Sequence, residues 1–483
     1  MVRFLEVFKP LMRIVPEVKV PERKVSFKMK ILYTVLILII YLIMSNIPLW
    51  GIPVGVGSDY FYYWRILFAS NRGTLTELGI GPIVTAGLIL QVLAGSKIIK
   101  VDFSDPYDRS MFTGTQKVLA ILMTAIQAIA YISFGAYGAL TFEVGVFVFL
   151  QLFFSGIIII LMDEMIQKGW GIGSGVSLFI AANVTGSIFW NMFSPAPASD
   201  GYFRGGILAF FQGVIAAATG GTINGNPPDL IYLSFTRYPD PSLVGFLATI
   251  AVVVIVVYFE SVRVEIPLKM AKYRGYTGRY PIRFLYVSNI PVILAQAIYA
   301  NILLVSQGVW NTFNKLNDNV FLNFIAMFKT GSSGQLEPIG GLVYFLTPPR
   351  GIVGEGSIAA DPLRAVIYLL IFTILCAALA KIWVEVSGIS SRDIAQQLLT
   401  SPMQIPGFRQ SLTVYETILN RYIPTVTILG GLFVGLLTVF ADFLGAFGTG
   451  MGVLLLVGIV FQYLRTIAEE QQGELAAFMM RRR

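Results

Sequence analysis

The side chains that most often carry chemistry are nearly absent from this chain. It has no histidine and one cysteine, Cys376. That removes Ser-His-Asp and Cys-His triads, histidine-ligated metals, thiolate zinc clusters and intrachain disulfides together. No metal and no cofactor is expected. Acidic groups are as sparse inside the apolar runs: Glu143, Asp163 and Glu164 sit at run ends, and Lys381 and Glu385 are spaced for an i, i+4 pair near the end of another. Two glycine motifs, Gly79-Ile-Gly81 and Gly171-Ile-Gly173-Ser-Gly175, look like pieces of phosphate loops, but neither follows a soluble strand and no GxxxxGK[ST] occurs. Small residues in such runs also allow close helix approach. What remains is basic. The stretch Arg263 to Arg283 carries six Lys and Arg interleaved with Tyr273, Tyr276 and Tyr280, a composition suited to lipid headgroups, an acidic partner or RNA phosphates.

The elements that must position these groups are membrane spans. Of 483 residues only 13% are charged and 55% are apolar, against roughly 25% charged in a soluble protein. Apolar runs near the ~20 residues that cross a bilayer fall at 31–50, 118–142, 144–162, 176–194, 243–259, 287–307, 363–384, 422–441 and 448–466, with a weaker glycine-rich one at 76–96. Ten spans with the N-terminus inside leave 26 of the 35 Lys and Arg on the cytoplasmic side and eight outside, with Lys381 in a span. This split obeys the positive-inside rule and puts both termini in the cytoplasm. The thirty residues before the first span are too long and basic for a cleaved signal. Within them Phe4, Leu5, Phe8, Leu11, Met12 and Val15 recur at helical spacing, which predicts an interfacial amphipathic helix or, failing that, a solvated basic tail.

Two sets of five spans have opposite orientation, which permits an inverted repeat, although no internal sequence similarity is convincing. The expected organisation is a cytoplasmic N-terminus (1–30), a first half (31–195), an external loop (196–242), a second half (243–466) with cytoplasmic loops at 260–286 and 386–421, and a cytoplasmic tail (467–483). Between the first two spans, the aromatic stretch Asp59 to Ser70 is too short to cross and too apolar to be a solvated linker. It reads as a re-entrant half-helix or an interfacial aromatic anchor. Gly205 to Gly220 reads as a short interfacial helix, and 309–362 as the longest external excursion.

Five separated motifs resemble the SecY family. They are Leu78-Gly-Ile-Gly-Pro-Ile-Val-Thr-Ala-Gly87, Gly171-Ile-Gly-Ser-Gly-Val-Ser-Leu-Phe-Ile180, Arg279-Tyr-Pro-Ile-Arg283 with Ser288-Asn-Ile-Pro-Val-Ile293, Gly340-Gly-Leu-Val-Tyr-Phe-Leu-Thr-Pro-Pro-Arg350, and Gly448-Thr-Gly-Met-Gly-Val-Leu-Leu455. The resemblance runs from the first span to the last, and its wording is closer to the archaeal and eukaryotic branch. It implies an all-α membrane protein of ten transmembrane helices in two inverted five-helix halves, with a re-entrant plug. The implied function is the large subunit of a protein-conducting channel: secretory polypeptides cross through an hourglass pore, and membrane-protein helices leave sideways into lipid.

The same resemblance assigns residues. The pore ring would be Ile80, Val84, Val176, Ile180, Ile293 and Leu455, which residue pattern alone would class as ordinary packing. The plug would hold Asp59, Tyr60, Phe61, Tyr62, Tyr63, Trp64, Arg65, Ile66 and Leu67 within 57–70. Thr85, Gln127 and Asn301 would be polar positions of the lateral gate, and Lys272, Arg274 and Arg409 would meet the ribosome. Implied partners are a small SecE/gamma subunit, a beta subunit, the ribosome, nascent secretory and membrane proteins, the lipid bilayer and, indirectly, the signal-recognition-particle receptor. The membrane would be an archaeal plasma membrane, or the endoplasmic reticulum if the source is eukaryotic. The competing reading is a secondary transporter for small solutes, which needs a charged or polar midplane site that the spans do not offer. A membrane-embedded enzyme would need an acid/base or metal constellation that is equally absent, so no enzymatic activity is expected.

Overall fold

A computed structural model describes residues 4–481 apart from 24, 53–64, 66–67, 97, 100, 102–104, 139, 199, 226, 238–239, 271–276, 288–289, 331–335, 350, 352–356 and 401–402. Ten long helices dominate it: α1 Phe27–Met44, α2 Gly81–Gly95, α3 Pro106–Ser133, α4 Phe142–Met165, α5 Gly175–Phe193, α6 Leu243–Ser261, α7 Ile290–Phe313, α8 Pro362–Val386, α9 Ile423–Phe443 and α10 Gly450–Arg481. Among the described residues, all but α2 are long and apolar enough to cross a membrane. At 15 residues, α2 covers only about 22 Å of a hydrocarbon core about 30 Å thick. Non-helical backbone over residues 68–80 leads into it.

Several helices overrun their apolar runs, because a helix ends where its backbone is capped and not where its hydropathy falls. The third begins at residue 106 instead of 118. There the Asp105 carboxylate accepts from Tyr107 N at 3.0 Å and Pro106 occupies the first turn, which suits a missing N–H and a fixed φ. The extra turns stand in the cytoplasm and offer Met111 and Phe112, against which Leu5 packs. The N-terminal segment is helical in two short consecutive pieces. Phe4–Phe8 forms a 3-10 turn and Lys9–Met12 one helical turn, folded onto the protein. Lys117 Nζ donates to Pro16 O at 2.5 Å, and Lys168 pairs with Glu17 and Glu164 at 2.5 and 3.0 Å. Leu5 and Met12 find partners on α3, while Leu11 stays exposed.

The two halves are wired alike. In the first, neighbours run α2, α3, α4, α5, α1; in the second, α7, α8, α9, α10, α6. The halves meet where α2 touches its counterpart α7 and α5 its counterpart α10, the self-paired contacts that a two-fold axis in the membrane plane requires. Equivalent carboxylates repeat the pattern. Asp163, at the end of α4, accepts from Val176 N at the start of α5 at 2.9 Å, and Asp442, at the end of α9, accepts from Gly450 N at the start of α10 at 2.8 Å. Both are buried acids whose task is to cap the next helix, satisfying N–H groups that a helix start leaves open.

On the cytoplasmic side, β1 Arg263–Met270 and β2 Thr277–Arg283 form an antiparallel hairpin. A two-residue strand from the second loop, Met403–Gln404, pairs with the end of β1 through Lys269↔Gln404 and Met270↔Met403. The two loops expected as separate basic segments therefore form one unit over a core that includes Ile266, Ile282, Leu398 and Tyr415. Outside, Gly206–Thr219 is the short helix anticipated. Arg237, with its side chain fully buried, ties the same loop together by donating to Asp200 at 2.8 Å and to Phe203 O at 2.6 Å.

Candidate functional site

The three polar residues predicted at the gate come together. Thr85 on α2 is a common acceptor: its Oγ1 receives Asn301 Nδ2 of α7 at 3.1 Å and Gln127 Nε2 of α3 at 3.4 Å. Asn301 Nδ2 also donates to Ala297 O, one turn back, at 2.7 Å. Thr85 and Gln127 are buried, and among the described residues no donor reaches Gln127 Oε1. One hydroxyl thus joins helices of both halves through bonds that are few and, for Gln127, long. At the external end, Asn311 Nδ2 of α7 donates to Phe134 O, just past α3, at 2.5 Å. The seam between α2/α3 and α7 is closed.

The six apolar positions occupy one continuous core. Ile80, Ile180 and Leu455 are fully buried, and Val84, Val176 and Ile293 are half-buried against the same cluster. Ile80 and Val84 share a helix face, as do Val176 and Ile180. Five of the positions lie on the helices through which the halves meet, α2 with α7 and α5 with α10, and Ile80 caps the start of α2. Branched apolar side chains offer water no hydrogen bond, so a narrow ring of them dewets and blocks ions.

The described end of the predicted plug lies directly outside this level. Asn183, three residues beyond Ile180 on the external side, donates from Nδ2 to Arg65 O at 3.1 Å. Phe68 O accepts from Ile80 N at 2.8 Å and Ala69 O from Tyr41 OH at 2.6 Å. Arg65 pairs with buried Glu77 at 2.8 Å and with Ser70 Oγ at 3.0 Å, while Glu77 also accepts from Gly73 N. Gly79 permits this approach: its φ is +51°, and a Cβ there would stand 2.0 Å from Phe68 O. Of the nine predicted plug residues only Arg65 is described; Asp59, Tyr60, Phe61, Tyr62, Tyr63, Trp64, Ile66 and Leu67 lie outside the described residues. Tyr41, Glu77 and Asn183 were not singled out from the sequence. Tyr41 and Asn183 are polar groups inside apolar runs, and only Glu77 had a signal to offer, as an acid beside a glycine-rich turn.

The predicted ribosome contacts are partly placed. Arg409 is exposed, five residues beyond the strand that pairs with the end of β1. Lys272 and Arg274 lie outside the described residues. Lys381 and Glu385 are both exposed, and among the described residues no ion pair joins them. Cys376 is buried in α8. Among the described residues no group of three or more His, Cys, Asp or Glu could hold a metal ion.

Comparison with known proteins agrees with this geometry. The SecY family model matches residues 74–464, and a model described as the plug domain of Sec61p matches residues 39–73. The protein transport protein Sec61 subunit alpha of Dictyostelium discoideum is 42% identical over 477 residues, 97% of each chain. A solved structure described as that of a protein conducting channel superposes with TM-score 0.79 at 36% identity, covering 96% of this chain and 97% of that one. Sec61 in the canine ribosome-channel complex from the endoplasmic reticulum gives TM-score 0.76 at 36% identity, with the same coverage.

Proposed function

This chain belongs to the SecY family, and from that premise we propose how its own residues perform the family's work. It is the pore-forming subunit of a protein-conducting channel, through which secretory polypeptides cross a membrane and from which apolar helices pass sideways into lipid. Ile80, Val84, Val176, Ile180, Ile293 and Leu455 form the constriction, sealing by dewetting while idle and yielding around a chain in transit. The segment 57–70 is the plug, and its described residues are tied outside the ring by Asn183 and Glu77 at Arg65 and by Tyr41 at Ala69. Thr85, Gln127 and Asn301 latch the lateral gate. The observation that carries this assignment is the position of Thr85. It is one residue from Val84 of the ring, yet accepts from α3 on one side and α7 on the other, so opening the seam and widening the pore break the same bonds.

The canine relative is described in complex with a ribosome. The joined hairpin and second loop, with Lys272, Arg274 and Arg409, form the matching dock here, and small gamma and beta subunits complete the assembly. The canine protein is described in the endoplasmic reticulum, the second of the two membranes expected. No catalytic step is assigned to any residue; the work of transport comes from a translating ribosome or another motor. The test is Ile180→Cys in a Cys376→Ala background, oxidised in the presence of a stalled secretory chain bearing one cysteine. A disulfide whose yield depends on the length of the stalled chain is expected. A chain that crosses without ever forming the adduct would overturn the pore assignment.

A further inference from the structure

The external loop that follows α7 holds an apolar face outward on a polar frame. In the short helix Val320–Ile325, Val320, Phe321, Phe324 and Ile325 point away from the protein, with Phe321 and Phe324 at 87% and 78% exposure. At 3.6 residues per turn these four span about 140° of the helix circumference, and Asn319 and Asn323 lie opposite. The asparagines fix the helix to the end of α7. Asn314 Nδ2 donates to Asn323 Oδ1 at 2.7 Å, and Asn319 N to Asn314 Oδ1 at 3.0 Å. Asn323 Nδ2 donates to Asn317 O at 2.7 Å, and Trp310 Nε1 of α7 to Asn317 Oδ1 at 2.7 Å. A satisfied network of this kind gives the helix one orientation, so its aromatic face is presented by construction.

We propose that this helix is an interfacial membrane anchor, its apolar face seated at the headgroup and acyl boundary of the external leaflet. Continuity with the lipid-facing surface argues for lipid as the occupant. Val305 and Phe313 on α7 are 57% and 74% exposed, and Leu316 in the turn continues the surface at 81%. Lys315 is exposed nearby, suited to phosphates at that depth, and aromatic side chains favour the interface. The anchor also touches the gate. The asparagine frame begins on α7 one residue before Asn311, whose amide reaches Phe134 O beyond α3. The helix therefore sets the depth of the external gate edge, and its seating depends on the external leaflet.

The test places a spin label at Phe321→Cys, Phe324→Cys and Val320→Cys, singly, in a Cys376→Ala background of the full complex in phosphatidylcholine and phosphatidylethanolamine vesicles. Lys329→Cys is the aqueous reference. Collision with oxygen should exceed collision with a water-soluble nickel chelate several-fold at all three positions and place them about 5–10 Å into the boundary, with the reverse at 329. Nickel accessibility equal to that at 329 would mean the face lies in water. Shielding from both reagents would mean a protein covers it. Either result overturns the proposal.

Discussion

Replacing Thr85 by valine keeps the side-chain volume and removes an acceptor that α3 and α7 share. Two donors lose it: Asn301 Nδ2 at 3.1 Å and Gln127 Nε2 at 3.4 Å. Asn301 retains Ala297 O, so its amide is not orphaned, and valine leaves no cavity. Hydrogen bonds between helices in membranes average about 0.6 kcal/mol, with a maximum near 1.7. Two bonds, one of them long, therefore sum to about 1 kcal/mol, and the closed state loses about fivefold in population relative to the open one. Dyes on Ile129→Cys and Val305→Cys, exposed positions on α3 and α7, in a Cys376→Ala background would report the separation by single-molecule energy transfer in the idle complex. Thr85→Val should raise the separated fraction about fivefold, and translocation of a reporter with a shortened signal sequence should rise with it. Thr85→Ser keeps the acceptor and should stay near the starting value. An unchanged fraction in Thr85→Val, or an equal rise in Thr85→Ser, would refute the reasoning, since packing and not the shared acceptor would then hold the seam.

Other outcomes follow from the same geometry. Ile80→Asn combined with Ile293→Ser, in a reconstituted complex, should hydrate the ring and raise idle ion conductance while polypeptide transit persists; unchanged conductance would remove those residues from the seal. Arg274→Glu with Arg409→Glu should lower ribosome affinity at least tenfold and flatten its salt dependence, with assembly intact by size-exclusion chromatography. The external loop should loosen in acid. Burial works against the charged form of Asp200, but Arg237 and the Tyr202 N–H outweigh it and hold the carboxyl below the usual carboxylate range. Folding therefore favours the carboxylate, and its contribution is complete above the unfolded value near 3.9 and lost as pH falls through the lower folded value. A spin label at Thr222→Cys should keep one mobility from pH 8 to 5 and gain mobility below about 4, a transition that Asp200→Asn should abolish.

How much of this was legible beforehand depended on whether the signal was local. Each span announced itself by a run of apolar side chains, and the positive-inside imbalance oriented all of them, because a bilayer imposes the same transfer cost on every residue in turn. The pairing of Ile80 with Val84 and of Val176 with Ile180 follows from helical spacing. Boundaries were less legible: the cap at Asp105 and the cytoplasmic overrun of α3 lie in polar sequence, where hydropathy carries no information. The docking of Leu5 was hidden for the same reason, since its partners Met111 and Phe112 lie in that overrun. The likeness of the halves was hidden too. Asp163 and Asp442 play equivalent parts, but a single capping carboxylate is too small a motif to register as repeated sequence.

By itself, then, the sequence determined the class of protein, the ten crossings, their direction and the family motifs, because those properties reside in composition and short spacing. Tertiary structure decided what those groups do to one another. Thr85 and Asn301 are 216 residues apart, Tyr286 and Ile389 103, and Asn183 and Arg65 118. Contacts at such distances arise only when closed helices pack and their few polar groups must find partners in a medium that supplies no others. In that medium a lone asparagine or threonine, unremarkable in the chain, becomes a latch.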